Sequence, residues 1–180
     1  LFLLLARSID CVETRRRQWV AVAAVAAGVG VWATHFIAML AYDGSMPLSF
    51  DPGLTMLSVA IAIFAFWLSF LVAGRNFEPP ASAVAGLIAA IGVAAMHFIG
   101  MAAIIAPAVV RYDFGAIAVA FLILASCFGL ALFAFGRMAG QWRIILPALL
   151  SVAGVVALHF TAMSATVLAP DPARFDPAAV

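Results

Sequence analysis

Charge is what this sequence has least of. Only 9% of its 180 residues are Asp, Glu, Lys or Arg, 67% are hydrophobic, and the mean hydropathy is +1.21. Lysine is absent: all nine basic residues are arginines, scattered over loop positions without a nucleic-acid-binding patch, and the net charge of +1 by itself decides nothing about nucleic acid. The two cysteines, Cys11 in a polar loop and Cys127 inside an apolar run, form neither a disulfide framework nor a metal-binding pair. There is no Ser/His/Asp set and no glycine-rich phosphate loop, so nothing points to an enzyme. A composition this apolar lies outside the range of soluble domains and marks an integral membrane protein. Several uninterrupted apolar runs exclude a lone signal peptide. The lack of strict alternation excludes a transmembrane β-barrel.

What is present is a set of helices. Five complete spans are predicted at 19–41, 54–73, 81–106, 116–135 and 144–168, after a stub at 1–6. Each supplies about 20 apolar residues, the length that crosses a bilayer core as a helix. None contains Asp, Glu, Lys or Arg. Arg7, Arg15, Arg16, Arg17, Arg75, Arg137 and Arg143 fall on one side of these spans, and only Arg111 and Arg174 on the other. That second side carries Asp43, Asp51, Asp113, Asp171 and Asp176. Arginine excess puts the first side in the cytoplasm. The chain opens mid-span without methionine and stops at DPAAV, so it is expected to be an excerpt, with a seventh helix starting at 175–180.

Histidine is scarcer still, and its placement is regular. His35, His97 and His159 are the only three, each 62 positions from the next. Around them stand GVWATHFIAM (30–39), GVAAMHFIGM (92–101) and GVVALHFTAM (154–163). The period also relates Asp51 to Asp113, Gly53 to Gly115, Gly74 to Gly136 and Arg75 to Arg137. The repeating unit is therefore a helical hairpin: a plain helix, a cytoplasmic turn, then a helix with the histidine phrase. An even number of spans keeps every copy in the same orientation. The expected fold is all-α: a polytopic transmembrane bundle of three parallel two-helix repeats, approximately 1–50, 51–112 and 113–174. All three histidines then lie at one depth, in the outward-facing third of their spans.

In each copy a methionine follows the histidine by four residues: Met39, Met101 and Met163. On a helix the two share a face, about 6 Å apart along the axis. Imidazole and thioether together suit copper, whereas zinc lacks a cysteine or carboxylate here and calcium lacks oxygen donors. Gly30, Gly92 and Gly154, with Ala38, Gly100 and Ala162, let these helices approach closely. Bland readings stand beside this one. An intramembrane histidine is often only hydrogen-bonded to a neighbouring helix, and methionine at helical spacing often only packs. Trp32, Phe36, Phe98 and Phe160 shield the cluster on this reading; Trp19 and Trp142 belong to the interfacial belt.

The phrase MHFIGM at 96–101, with THFIAM and LHFTAM, resembles the MHYT domain, a bacterial integral-membrane sensory module. Phe36, Phe98 and Phe160 stand where that motif has tyrosine, and its leading methionine survives only as Met96. The resemblance spans nearly the whole chain. It implies a seven-helix bundle in the bacterial inner membrane with the motifs near the periplasmic face. It also implies a copper site that detects a diatomic gas (oxygen, carbon monoxide or nitric oxide). A C-terminal cytoplasmic output domain, such as a cyclic-di-GMP-metabolising domain or a kinase, would receive the signal. The expected metal ligands are His35, His97 and His159, completed or tuned by Met39, Met101 and Met163, and the expected partners are the lipid bilayer, the gas and the output domain. A copper transporter or membrane metallochaperone, a haem site and a purely structural histidine cluster are the rival readings.

Overall fold

A computed structural model of the chain describes residues 1–9, 11–41, 49–105 and 108–170. In chain order the elements are α1 (Phe2–Ile9), α2 (Glu13–Leu40), β1 (Ser49–Phe50), α3 (Pro52–Ala73), α4 (Pro79–Ala102), β2 (Ile104–Ile105), β3 (Ala108–Tyr112), α5 (Phe114–Arg137), α6 (Trp142–Ser164) and β4 (Thr166–Pro170). Helices α2 to α6 are long and apolar enough to cross a membrane. The short α1 stands at the place of the expected stub. The helix start expected at 175–180, together with Asp43, Asp171, Arg174 and Asp176, lies outside the described residues.

Local chemistry sets the helix starts. The Asp51 carboxylate accepts from the Leu54 N–H at 2.7 Å, and Pro52 opens α3 without wasting a donor. Its repeat partner Asp113 accepts from the N–H groups of Gly115 and Ala116 at 2.9 and 3.3 Å, starting α5. Gly74 ends α3 at φ +68°, a backbone conformation without penalty only for glycine.

Two predicted spans are too long. Hydropathy carries the helices through 103–106 and 165–168, but the chain leaves the helix at Ala103 and at Ala165. The β-branched residues Ile104, Ile105, Thr166 and Val167 that follow become strand. β1 pairs antiparallel with β2, and β3 with β4. Even the register obeys the 62-residue period: Ser49↔Ile105 and Phe50↔Ile104 recur as Arg111↔Val167 and Tyr112↔Thr166. The Asp51 N–H donates to the Ala103 carbonyl at 2.8 Å, and the Asp113 N–H to the Ala165 carbonyl at 2.9 Å. Each ribbon thus ties the entry of one helical hairpin to its exit and gives partners to backbone groups that a helix end leaves unpaired.

Consecutive helices pack side by side from α2 to α6, and α1 lies against both α2 and α6. Small residues set how close they come. A Cβ at Gly86 of α4 would overlap the Gly129 backbone of α5. Gly92 lies against Ala65 of α3, and Gly154 against Cys127 of α5, two contacts related by the same period. In the arginine-side half, Phe66 of α3 meets its repeat partner Phe128 of α5 with ring centroids 5.7 Å apart. Phe2 of α1 stacks on Phe135 nearby at 5.5 Å. The plain helices therefore build an apolar core layer, while the opposite half is left to the histidine-bearing helices. Below that layer, Arg75 reaches back to the Ile9 and Cys11 carbonyls at 3.2 and 3.0 Å, and its repeat partner Arg137 to Glu78 at 3.2 Å. Matched arginines thus tie each turn to the one before.

Candidate metal centre

His35, His97 and His159 each stand five residues before the last residue of their helix, α2, α4 or α6. At 1.5 Å rise per residue that is about 7–8 Å below each helix end. The common depth inferred from counting is what the fold shows, at the end of the bundle opposite the clustered arginines. All three rings point inward and are buried.

They also meet. His35 Nδ1 lies 3.2 Å from His97 Nδ1 and 3.4 Å from His159 Nδ1. One ring nitrogen from each of the three falls within 4.8 Å of the others. The rings stand nearly perpendicular to one another, with centroids 4.8 Å apart for His35–His97, 5.4 Å for His35–His159 and 5.5 Å for His97–His159. Three nitrogens bound to one ion at about 2.0 Å in trigonal or tetrahedral geometry are separated by about 3.3–3.5 Å. The two distances to His35 Nδ1 match that arrangement, while the cluster as a whole extends to 4.8 Å.

Hydrogen bonding alone accounts for the cluster less well. A neutral imidazole nitrogen carries either one proton or one lone pair, so His35 Nδ1 can serve only one of its two neighbours well. An ion would use all three Nδ1 lone pairs at once. The Nε2 atoms of His35 and His97 are buried without a hydrogen-bond partner among the described residues. The residues present therefore fit a metal held through Nδ1, with Nε2 carrying the proton.

The surroundings are apolar and aromatic. Each histidine meets the phenylalanine that follows it edge-on: Phe36 at 5.0 Å, Phe98 at 5.1 Å and Phe160 at 5.3 Å. Phe36 continues the stack to Trp32 at 5.1 Å and to Phe50 of β1 at 5.3 Å, screening His35. Beside the cluster a cavity of about 350 Å³ opens between α2, α4 and α6. All three histidines line it, with Thr34, Met96 and Leu158 among the other walls. The phrase methionines are not in that wall: Met39 and Met101 are fully buried, and Met163 is partly exposed. Sequence alone marks Met96 only as a motif letter, because its place in the wall depends on how α4 is rotated.

The bacterial signalling protein N-terminal repeat family, MHYT, matches the chain at residues 28–86 and 91–148. Over 157 residues the chain is 36% identical to the bifunctional diguanylate cyclase/cyclic di-GMP phosphodiesterase MucR of Pseudomonas aeruginosa, covering 82% of this chain and 22% of that protein. It is 35% identical over 159 residues to the cyclic di-GMP phosphodiesterase NbdA of the same organism, covering 84% of this chain and 20% of that protein. An uncharacterized signaling protein of Caulobacter vibrioides is 31% identical over 156 residues, covering 87% of this chain and 19% of that protein. The chain thus spans about a fifth of the length of these relatives. No solved structure matches it. The family segments contain His35 and His97 on the helices that bring them together, and the chain belongs to the MHYT family, a membrane-embedded sensory domain of bacterial signalling proteins.

Proposed function

We propose that this single domain, built of repeats at approximately 1–50, 51–112 and 113–174, senses a small molecule through copper held by His35, His97 and His159. The reading rests above all on the convergence of three Nδ1 atoms at 3.2 and 3.4 Å in a buried site. Met39, Met101 and Met163, one helical turn beyond the histidines, tune or complete the ligand set. Soft thioether and neutral imidazole favour the cuprous ion. The apolar surroundings favour it too: the Born cost of burying an ion grows with the square of its charge, so a monovalent ion costs about a quarter of a divalent one. Apart from Glu13 at the far end of α2, no Asp or Glu in α2 to α6 offsets a second positive charge.

When bound, the ion would supply an open coordination position for a diatomic gas such as oxygen, carbon monoxide or nitric oxide. The protein's part is to hold three rings from three helices and to respond when their spacing changes. Each ring is fixed near the outer end of its hairpin, so a change in spacing shifts α2, α4 and α6 against one another. A C-terminal cytoplasmic output domain reads that shift, and the cyclic di-GMP activities in the relatives' names belong to such domains outside the matched fifth. On this reading the motif end faces the periplasm, the arginine-rich end faces the cytoplasm, and the chain itself performs no catalysis. Transport is disfavoured because, among the described residues, the arginine-side half offers no second cluster of metal-ligating side chains.

Elemental analysis tests the assignment. Protein purified with copper should carry about one ion per chain, and the triple variant His35→Ala/His97→Ala/His159→Ala should carry none. Equal copper in both would refute it. A Met39→Leu/Met101→Leu/Met163→Leu variant should keep the ion with weaker affinity.

A further inference from the structure

The three copies of the phrase differ at four positions, and one of these lies directly against a ring of the cluster. Three residues after the histidine stand Ala38 on α2, Gly100 on α4 and Ala162 on α6. The lone glycine is where His35 lands. A Cβ built on Gly100 would lie 2.6 Å from His35 Nε2 and 3.0 Å from His35 Cδ2, with Phe36 Cζ at 3.5 Å. Ordinary contact between such atoms is about 3.5–4.0 Å. The His35 imidazole therefore occupies the space where the other two copies have a methyl group.

We infer that Gly100 is a positioning residue: its missing side chain lets His35 reach across to α4 and become the hub of the cluster. Three observations bear on this. The His35–His97 pair, which spans the α2–α4 boundary beside Gly100, has the closest ring centroids, 4.8 Å against 5.4 and 5.5 Å. His35 Nδ1 has both other histidines within 3.4 Å. His35 Nε2, the atom nearest the glycine, is buried without a polar partner, so packing and not a hydrogen bond holds that end of the ring. Three copies of one phrase thus produce an unsymmetrical site, a close His35–His97 pair with His159 as its more exposed third member.

Steric logic makes Gly100→Ala selective. The three atoms nearest such a Cβ all belong to side chains, two at the far end of the His35 ring and one at the tip of Phe36, so side chains are the first to yield. Alanine is also the better helix former, so α4 itself is not weakened. What must yield is the His35 ring, by about 1 Å or by rotating away, and its Nδ1 leaves the position shared with His97 and His159.

This inference deepens the metal-site reading, and its test separates the two. The full chain is labelled with 15N-histidine and placed in lipid. With three histidines, single substitutions assign every ring signal. Without any metal, the parent should show through-space proximity between the ring nitrogens of His35 and His97. That signal should vanish in Gly100→Ala, while Ala38→Gly keeps it and all variants retain the parent's helix content. Its persistence in Gly100→Ala overturns the positioning role, whether or not the protein binds copper. A second arm loads cuprous ion and reads affinity by competition with a chromophoric chelator. Gly100→Ala should bind on the order of ten- to a hundredfold more weakly, the usual scale for losing a ligand's support. X-ray absorption should then count one nitrogen ligand fewer. Unchanged affinity and ligand number would also overturn the role. If the parent binds no copper, yet its His35–His97 ring signal disappears in Gly100→Ala, the metal reading sinks and the positioning role stands.

Discussion

Replacing His97 with leucine separates a cluster that holds an ion from one that only packs. Two effects oppose each other in the metal-free protein. The substitution removes the 3.2 Å contact to His35 Nδ1, which is worth about 1 kcal/mol net. His35 keeps His159 at 3.4 Å, so its Nδ1 is not left alone. The substitution also removes His97 Nε2, buried without a partner; leaving such a group unpaired costs roughly 1–3 kcal/mol. Metal-free His97→Leu should therefore lie within about 2 kcal/mol of the parent, on the stable side if the orphaned group dominates. Copper breaks the tie. At a free concentration a hundred times Kd, an ion stabilises the parent by about 2.7 kcal/mol, or roughly 5–10 °C for a chain of this length. The variant, with two nitrogens left, should gain little. Thermal unfolding in detergent, followed by tryptophan fluorescence with and without copper, measures both quantities. A metal-free variant destabilised by much more than this range would mark a structural cluster, and an undiminished copper shift would show that the three rings do not share an ion.

Two further outcomes follow from the fold. Asp51→Ala and Asp113→Ala each remove a helix N-cap and should each cost about 1 kcal/mol. Their sites are separate, so the double variant should lose close to the sum in denaturant titrations; a strongly cooperative loss would mean that the carboxylates do more than cap. Membrane-impermeant maleimide should label Cys11 in inside-out vesicles but not in right-side-out ones, and should leave Cys127, within α5, unlabelled in both. Labelling of Cys11 from the outside would invert the assigned orientation.

Much of this architecture is legible in the sequence because lipid imposes simple rules. A run of apolar residues must become a helix, since unpaired backbone groups are not tolerated in the bilayer core. Arginines at alternate turns then mark one end of the bundle. The 62-residue period puts His35, His97 and His159 at one depth, and each indeed stands five residues from its helix end. The β-ribbons are hidden because Ile104, Ile105, Thr166 and Val167 are as apolar as the spans they follow. Hydropathy cannot tell a helix's last turn from a strand that pairs beyond it. Phe66 and Phe128 escape notice for a related reason, since in a uniformly apolar helix a core phenylalanine looks like a lipid-facing one.

Depth and repeat, then, belong to the sequence, because each is a matter of counting along the chain. Whether the imidazoles face one another belongs to the tertiary structure. These helices are apolar on all sides, so no polar face fixes how each turns about its own axis. Contacts such as Gly86 on Gly129 and Gly92 on Ala65 decide that rotation. The same packing turns Nδ1 toward the cluster and lays His35 over Gly100. Three nearly identical phrases thereby become a site whose members are not equivalent.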